Sequence, residues 1–248
     1  MIILSILFFV TALIYSSVGF GGGSTYLALL LIWGVPYTIF PVIALVCNII
    51  VVSGNSINFI RSKNTNFSLL FPYLIGSIPF AFIGGSITIE KSLFEVLLFC
   101  ILLVAGIFLL IESKSFNNNQ IKINKIPKLI SIFIGSIIGF MSGIVGIGGG
   151  IFLSPLLFLM KAGYPRHITS SASLFILINS IFGMAGQLTK DQVLDQVINY
   201  WPLFLTVFIG GQIGSLLNIK FLSNKILALL TSFLVIFVAI RMGIKLIA

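Results

Sequence analysis

Apolar runs of about twenty residues or more, separated by short polar clusters, follow one another along almost the whole chain. They cover Ile2 to about Val35, Tyr37 to Ile60, Phe67 to Ile89, Leu93 to Ile111, Ile126 to Met160, His167 to Leu188, Val197 to Phe221 and Ile226 to Ile247. A helix needs roughly twenty apolar residues to cross a hydrocarbon layer about 30 Å thick, whereas a transmembrane barrel shows shorter segments of alternating polarity. The pattern predicts an all-α integral membrane protein of eight apolar runs with no soluble domain. Its clearest polar break is Ser115 to Lys128, where Asn117, Asn118, Asn119 and Gln120 precede Lys122, Lys125 and Lys128. This break divides the chain into a first transmembrane repeat at 1–114, a linker at 115–125 and a second repeat at 126–248.

The two halves resemble each other. Val18-Gly19-Phe20-Gly21-Gly22-Gly23 matches Val145-Gly146-Ile147-Gly148-Gly149-Gly150 at an offset of 127. Gly34-Val35-Pro36 corresponds to Gly163-Tyr164-Pro165, and Ile83-Gly84-Gly85 to Ile209-Gly210-Gly211. Internal duplication is the simplest account, and duplicated halves are typical of secondary transporters. The first and fifth runs hold about 34 residues each, roughly 51 Å as straight helix, too long for one span. Four glycines in five positions would weaken an unbroken helix by on the order of 4 kcal/mol relative to alanine. Both clusters therefore read as deliberate interruptions, with helix resuming near Ser24 and Ile151. Within lipid, an interruption is tolerated only where protein or a watery cavity meets the freed backbone groups. Two layouts stay open: broken helices that overhang, giving eight crossings, or hairpins folding back at the glycines, giving ten helical segments.

Charge bears on that choice. The chain carries 14 Lys and Arg against 5 Asp and Glu, a formal +9, with the basic residues lying almost entirely between apolar runs. In this setting the excess signals topology and attraction to anionic lipid rather than nucleic acid. Eight crossings divide the basic residues 9 to 5 between the two faces, and hairpins divide them 10 to 4, with Lys161, Arg166, Lys220 and Lys225 replacing Lys190, Arg241 and Lys245 on the richer face. The hairpin layout has the sharper asymmetry, and it gives each half an odd number of crossings, which makes the repeats inverted. Either layout puts the 115–128 linker in the cytoplasm, in a multi-pass protein of the inner or plasma membrane. Homo-oligomerisation stays open, because lipid-facing and partner-facing apolar surfaces look alike. Met1 to Ile14 lacks a basic n-region and reads as a retained helix. Cys47 and Cys100, both in apolar runs, read as reduced core residues.

The chemistry follows from the interruptions. A helix N-terminus presents unpaired N–H groups and a partial positive charge, and glycines let a ligand approach that backbone closely. Gly19, Gly21, Gly22, Gly23 and Ser24, with Gly146, Gly148, Gly149 and Gly150, are thus candidate ligands for a small anion. The small-xxx-small spacing of Gly19/Gly23 and Gly146/Gly150 also suits helix packing, which needs two glycines rather than four. Uncharged donors in the following runs extend the candidate site: Asn48 in the first half, and Ser170, Ser171, Ser173, Asn179 and Gln187 in the second. Asn48 and Asn179 each lie about a dozen residues beyond a Gly-x-Pro turn. The five acids, Glu90, Glu95, Glu112, Asp191 and Asp195, fall at or near run ends, so no carboxylate is placed to bind sodium or relay protons at the midplane. His167, beside Arg166, reads as interfacial. With one histidine and scattered acids, neither a triad nor a metal set emerges, and no enzyme activity, cofactor or metal is expected.

The Val-Gly-x-Gly-Gly-Gly clusters, and Thr169-Ser170-Ser171-Ala172-Ser173 leading into Ile178-Asn179-Ser180-Ile181-Phe182-Gly183-Met184-Ala185-Gly186, resemble the TauE/SafE sulfite exporter family of permeases over nearly the whole chain. The resemblance implies a multi-pass permease for sulfite or small organosulfonates, using both glycine clusters and the Ser170 to Gly186 helix. Family members often carry a histidine where Gln187 stands, so this position is a neutral donor here. A passive anion channel and a non-transporting membrane scaffold are the competing readings.

Overall fold

A computed structural model of the chain describes residues 1–90, 92–97, 99, 100, 103, 104, 107, 123–190 and 196–220, with single positions at 233, 236, 240 and 244. Every regular element among the described residues is helical: α1 Ile2–Val18, α2 Gly23–Ile32, α3 Phe40–Arg61, α4 Phe67–Ser86, α5 Lys128–Val145, α6 Gly150–Leu159, α7 Pro165–Gln187 and α8 Trp201–Lys220. Described positions between 92 and 107 are helical as well. Among the described residues, five stretches, Tyr37–Arg61, Phe67–Ser86, Lys128–Val145, Arg166–Gln187 and Ile198–Leu217, are long and apolar enough to cross a membrane. Most of the expected 115–125 linker, and the eighth run apart from single positions, lie outside the described residues.

Local chemistry sets the helix starts. Pro41 and Pro165 occupy the first turns of α3 and α7, where a missing N–H is harmless. The Asn66 side chain caps α4 by accepting from the Leu69 N–H at 3.1 Å. Both glycine clusters interrupt the helix: α1 ends at Gly19 and α2 begins at Gly23, while α5 ends at Gly146 and α6 begins at Gly150. Each new helix starts one residue before the expected Ser24 or Ile151.

The broken helices fold back. Phe8 lies ten residues before the end of α1 and Tyr26 three residues into α2, yet their rings stack with centroids 4.7 Å apart. Continued in one direction, the helix would separate them by well over 15 Å. In the second half, the Asn124 N–H near the start of α5 donates to the Lys161 carbonyl just beyond α6, at 3.0 Å. Each long run is therefore a hairpin of one long and one ten-residue helix, rather than an overhanging rod.

The halves interlock. α1 of the first half packs most extensively on α8 of the second, and α5 of the second on α4 of the first. Between these pairs, α3 and α7 pack on each other. Contacts between helix ends fix which loops share a face: Thr65 meets Ser170 at 2.8 Å, and Asn58 of α3 donates to Ser215 of α8 at 2.8 Å. Arg61, Lys63, Lys125, Lys128, Lys161, Arg166 and Lys220 accordingly gather at one end of the bundle, with Lys190 at the other. His167 sits at the start of α7 at the basic end, its ring edge-on to Tyr164. Cys47 is buried and free as expected, but Cys100 is exposed. Hydropathy alone cannot tell a lipid-facing position from a core one, so its assignment to the core is corrected.

Candidate functional site

The interruptions are built from left-handed backbone. Gly22 and Gly149, the residues preceding α2 and α6, have φ of 87° and 79°, a conformation that costs other residues roughly 1–2 kcal/mol. Gly22 lies beside Thr11, midway along α1, and Gly149 beside Ile138, midway along α5. Both ten-residue helices thus begin near mid-depth, their N–H ends turned inward. Gly22 and Gly149 carbonyls accept the first helical bonds of α2 and α6, while N–H groups of each first turn lack intrahelical partners.

The two turns meet through Asn48. Its Nδ2 donates to the Ile147 carbonyl at 3.0 Å and lies 3.5 Å from that of Gly146. On its other side the carboxamide fills the space where a Cβ on Gly21 would stand. Its Oδ1 is buried and without a hydrogen-bond partner among the described residues. Tyr26 Oη, Asn179 Oδ1, Ser180 Oγ and Ser142 Oγ are likewise buried and unpartnered. A buried polar atom left unpaired costs about 1–3 kcal/mol, so such a cluster is either hydrated or made to receive something.

Between the turns lies a cavity of about 10 Å³, lined by the first hairpin (Tyr15 and 20–24), by Ile147 and Ile151 of the second, and by Ile176 of α7. It holds about one water molecule at most, so a four-atom oxyanion enters only if the halves separate. Tyr15 Oη bonds Thr25 Oγ1 at 2.7 Å and lies 3.5 Å from Ser24 Oγ.

The expected site residues divide into groups. Gly21, Gly22, Gly23 and Ser24 line the cavity. Asn48 and Gly148 flank it, and Gly148 also lies against Ser180 and Ile176. Gly150 is packed against Ile176, Gly19 against Phe59 and Thr169, and Gly146 against Pro41. On α7, Ser173 faces Ser56 of α3 at 3.4 Å, and Ser170 lies beside Thr65 at the basic end. Ser171 Oγ is buried without a partner, and Asn179 turns its Nδ2 onto its own helix at Phe175. Gln187 lies at the far end, donating to the Gly143 carbonyl at 2.9 Å and accepting from Lys190 Nζ at 2.8 Å. Partial burial pushes the pKa of Lys190 below its ordinary value. Tyr15, Thr25, Ile147, Ile151 and Ile176 were not singled out by the sequence. Tyr15 could have been, because Tyr15, Ser16 and Ser17 interrupt the apolar character of α1 just before the glycines.

A bundle of apolar helices with two helix breaks meeting in its interior defines a multi-pass membrane protein of the transporter class. The chain belongs to the TauE/SafE sulfite exporter family, whose model matches residues 4–242. It is 30% identical over 233 residues to the probable membrane transporter protein y4hK of Sinorhizobium fredii, covering 93% of each chain. It is 29% identical over 199 residues to probable membrane transporter protein MJ0441 of Methanocaldococcus jannaschii, covering 76% of this chain and 73% of that one. Similarity extends to probable membrane transporter protein YunE of Bacillus subtilis, at 20% identity over 260 residues and 95% and 94% coverage. No solved structure matches the chain.

Proposed function

We propose that the protein is a permease for small sulfur oxyanions, sulfite or organosulfonates, working by alternating access at the glycine turns. The observation that carries this reading is the meeting of two inward-facing helix N-termini at one cavity, joined by Asn48. Helix dipoles and unpaired N–H groups attract an anion in low dielectric without a buried lysine. Family membership supports sulfur oxyanions as the cargo.

The two halves are inverted repeats in this reading, each of five helical segments, with the basic end in the cytoplasm under the positive-inside rule. The residues that line the cavity are buried, and in this reading movement of one half against the other opens the site to each face in turn. The burial and small volume of the cavity favour a carrier over a passive channel. Sulfite and methanesulfonate uptake into proteoliposomes tests this: a carrier gives saturable uptake and counterflow from preloaded vesicles. Uptake no faster than in protein-free vesicles would refute transport, and linear flux without counterflow would point to a channel.

A further inference from the structure

The duplicated turns share left-handed glycines at Gly19 and Gly22 and at Gly146 and Gly149, although Gly148 is left-handed and its counterpart Gly21 is not, and they differ in side-chain chemistry. At the offset of 127, Thr11, Ser24 and Tyr26 of the first hairpin are answered by Ile138, Ile151 and Leu153 of the second. The cavity follows that division. One wall is the first turn's backbone with the hydroxyls of Tyr15 and Ser24, and the other is Ile147, Ile151 and Ile176, all three nearly fully buried.

Two further polar atoms lie against the lining glycines of the first turn, outside the cavity's own lining. Asn48 Oδ1 is buried and unpartnered against Gly21 and Gly23. The fully buried Tyr26 hydroxyl is unpartnered too, and its ring carbon Cζ lies 3.2 Å from where a Cβ on Gly22 would stand. Beside the second turn, Ser180 Oγ lies against Gly148 and Ser142 near Gly149, but among the described residues that line the cavity the second wall offers only isoleucine side chains. A sulfur oxyanion in this space turns its oxygens to the first turn, where the lining residues offer O–H as well as N–H donors, and its lone pair or remaining substituent to the three isoleucines.

We infer that the two turns do different work: the first seats the anion's oxygens, and the aliphatic wall of Ile147, Ile151 and Ile176 selects anions that present a lone pair or an apolar substituent, rather than a fourth oxygen, on sulfur. This rests on the oxyanion reading and adds the specificity determinant. A fully oxygenated tetrahedral anion such as sulfate would leave one oxygen facing carbon, without a donor, and is disfavoured.

The test measures equilibrium binding of methanesulfonate and of sulfate to the whole protein in nanodiscs. Wild type binds methanesulfonate at least about tenfold more tightly than sulfate, the scale on which one small group is discriminated in a pocket. Ile151→Ser, and independently Ile176→Ala, reduce that ratio severalfold or more. Ser24→Ala weakens both anions alike and leaves the ratio in place. Each ratio is taken within one folded sample, so a general loss of stability cannot mimic the result. An unchanged ratio in both isoleucine variants, or an equal change in Ser24→Ala, overturns the division of labour while leaving the permease reading intact. Failure of wild type to bind either anion overturns the oxyanion reading itself, and this inference with it.

Discussion

Asn48, on α3 of the first half, donates its Nδ2 to the Ile147 carbonyl in the glycine turn of the second half at 3.0 Å. That carbonyl is freed by the helix break, and Asn48 gives it a donor from across the bundle. The same carboxamide closes over Gly21 and Gly23 of the first turn. One side chain therefore couples both interruptions, so a movement at either turn is felt at the other.

That coupling is measurable. Gly21 has no positive φ, so Gly21→Ala acts by overlap with Asn48 and is expected to destabilise by about 1–3 kcal/mol. Asn48→Ala removes a buried hydrogen bond for a similar loss of about 1–3 kcal/mol. The double variant is expected to lose clearly less than the sum, because the smaller side chain relieves the overlap. Unfolding of the four proteins in one detergent checks this, and additive losses would contradict the contact.

The hairpins fix which loops face which side. With Cys47 and Cys100 replaced by alanine, Lys63→Cys and Lys161→Cys should react with an impermeant thiol reagent from the same face, and Lys190→Cys from the opposite one. Overhanging single helices place Lys63 and Lys190 together and Lys161 apart. Labelling of whole cells against inverted vesicles separates the two.

Much of this layout was legible in the chain and some was not. Run length and glycine density located both interruptions to within a residue, because an apolar run near 34 residues cannot be one straight span. Length cannot say whether a broken helix continues or turns back; that depends on contacts such as Phe8 with Tyr26. The Gly-x-Pro spacing picked out Asn48 and Asn179 as counterparts, but one reaches Ile147 in the other half and the other bonds Phe175 four residues away. Spacing gives a position along a helix, not which neighbour a side chain reaches. The place of Ile151 and Ile176 on the cavity wall was invisible for the opposite reason: isoleucine in a membrane helix looks the same on a cavity wall as against lipid.

Tyr15 holds α1 to the first turn of α2 through its 2.7 Å bond to Thr25 Oγ1. Tyr15→Phe and Thr25→Val should each lower stability by about 0.5–1.5 kcal/mol, and the double variant by little more than either. Thermal unfolding reads this directly, and full additivity would mean the two hydroxyls do not pair.

The central claim, that anions cross at the two left-handed glycine turns, is tested most directly by sulfite flux in proteoliposomes carrying Gly22→Leu or Gly149→Leu. A side chain at Gly22 meets Thr11 and Tyr26, and one at Gly149 meets Ile138 and Phe175, at positions where positive φ also resists substitution. With helical content and monodispersity retained, both variants are predicted to lose most of the wild-type flux, and wild-type flux in both would contradict the account.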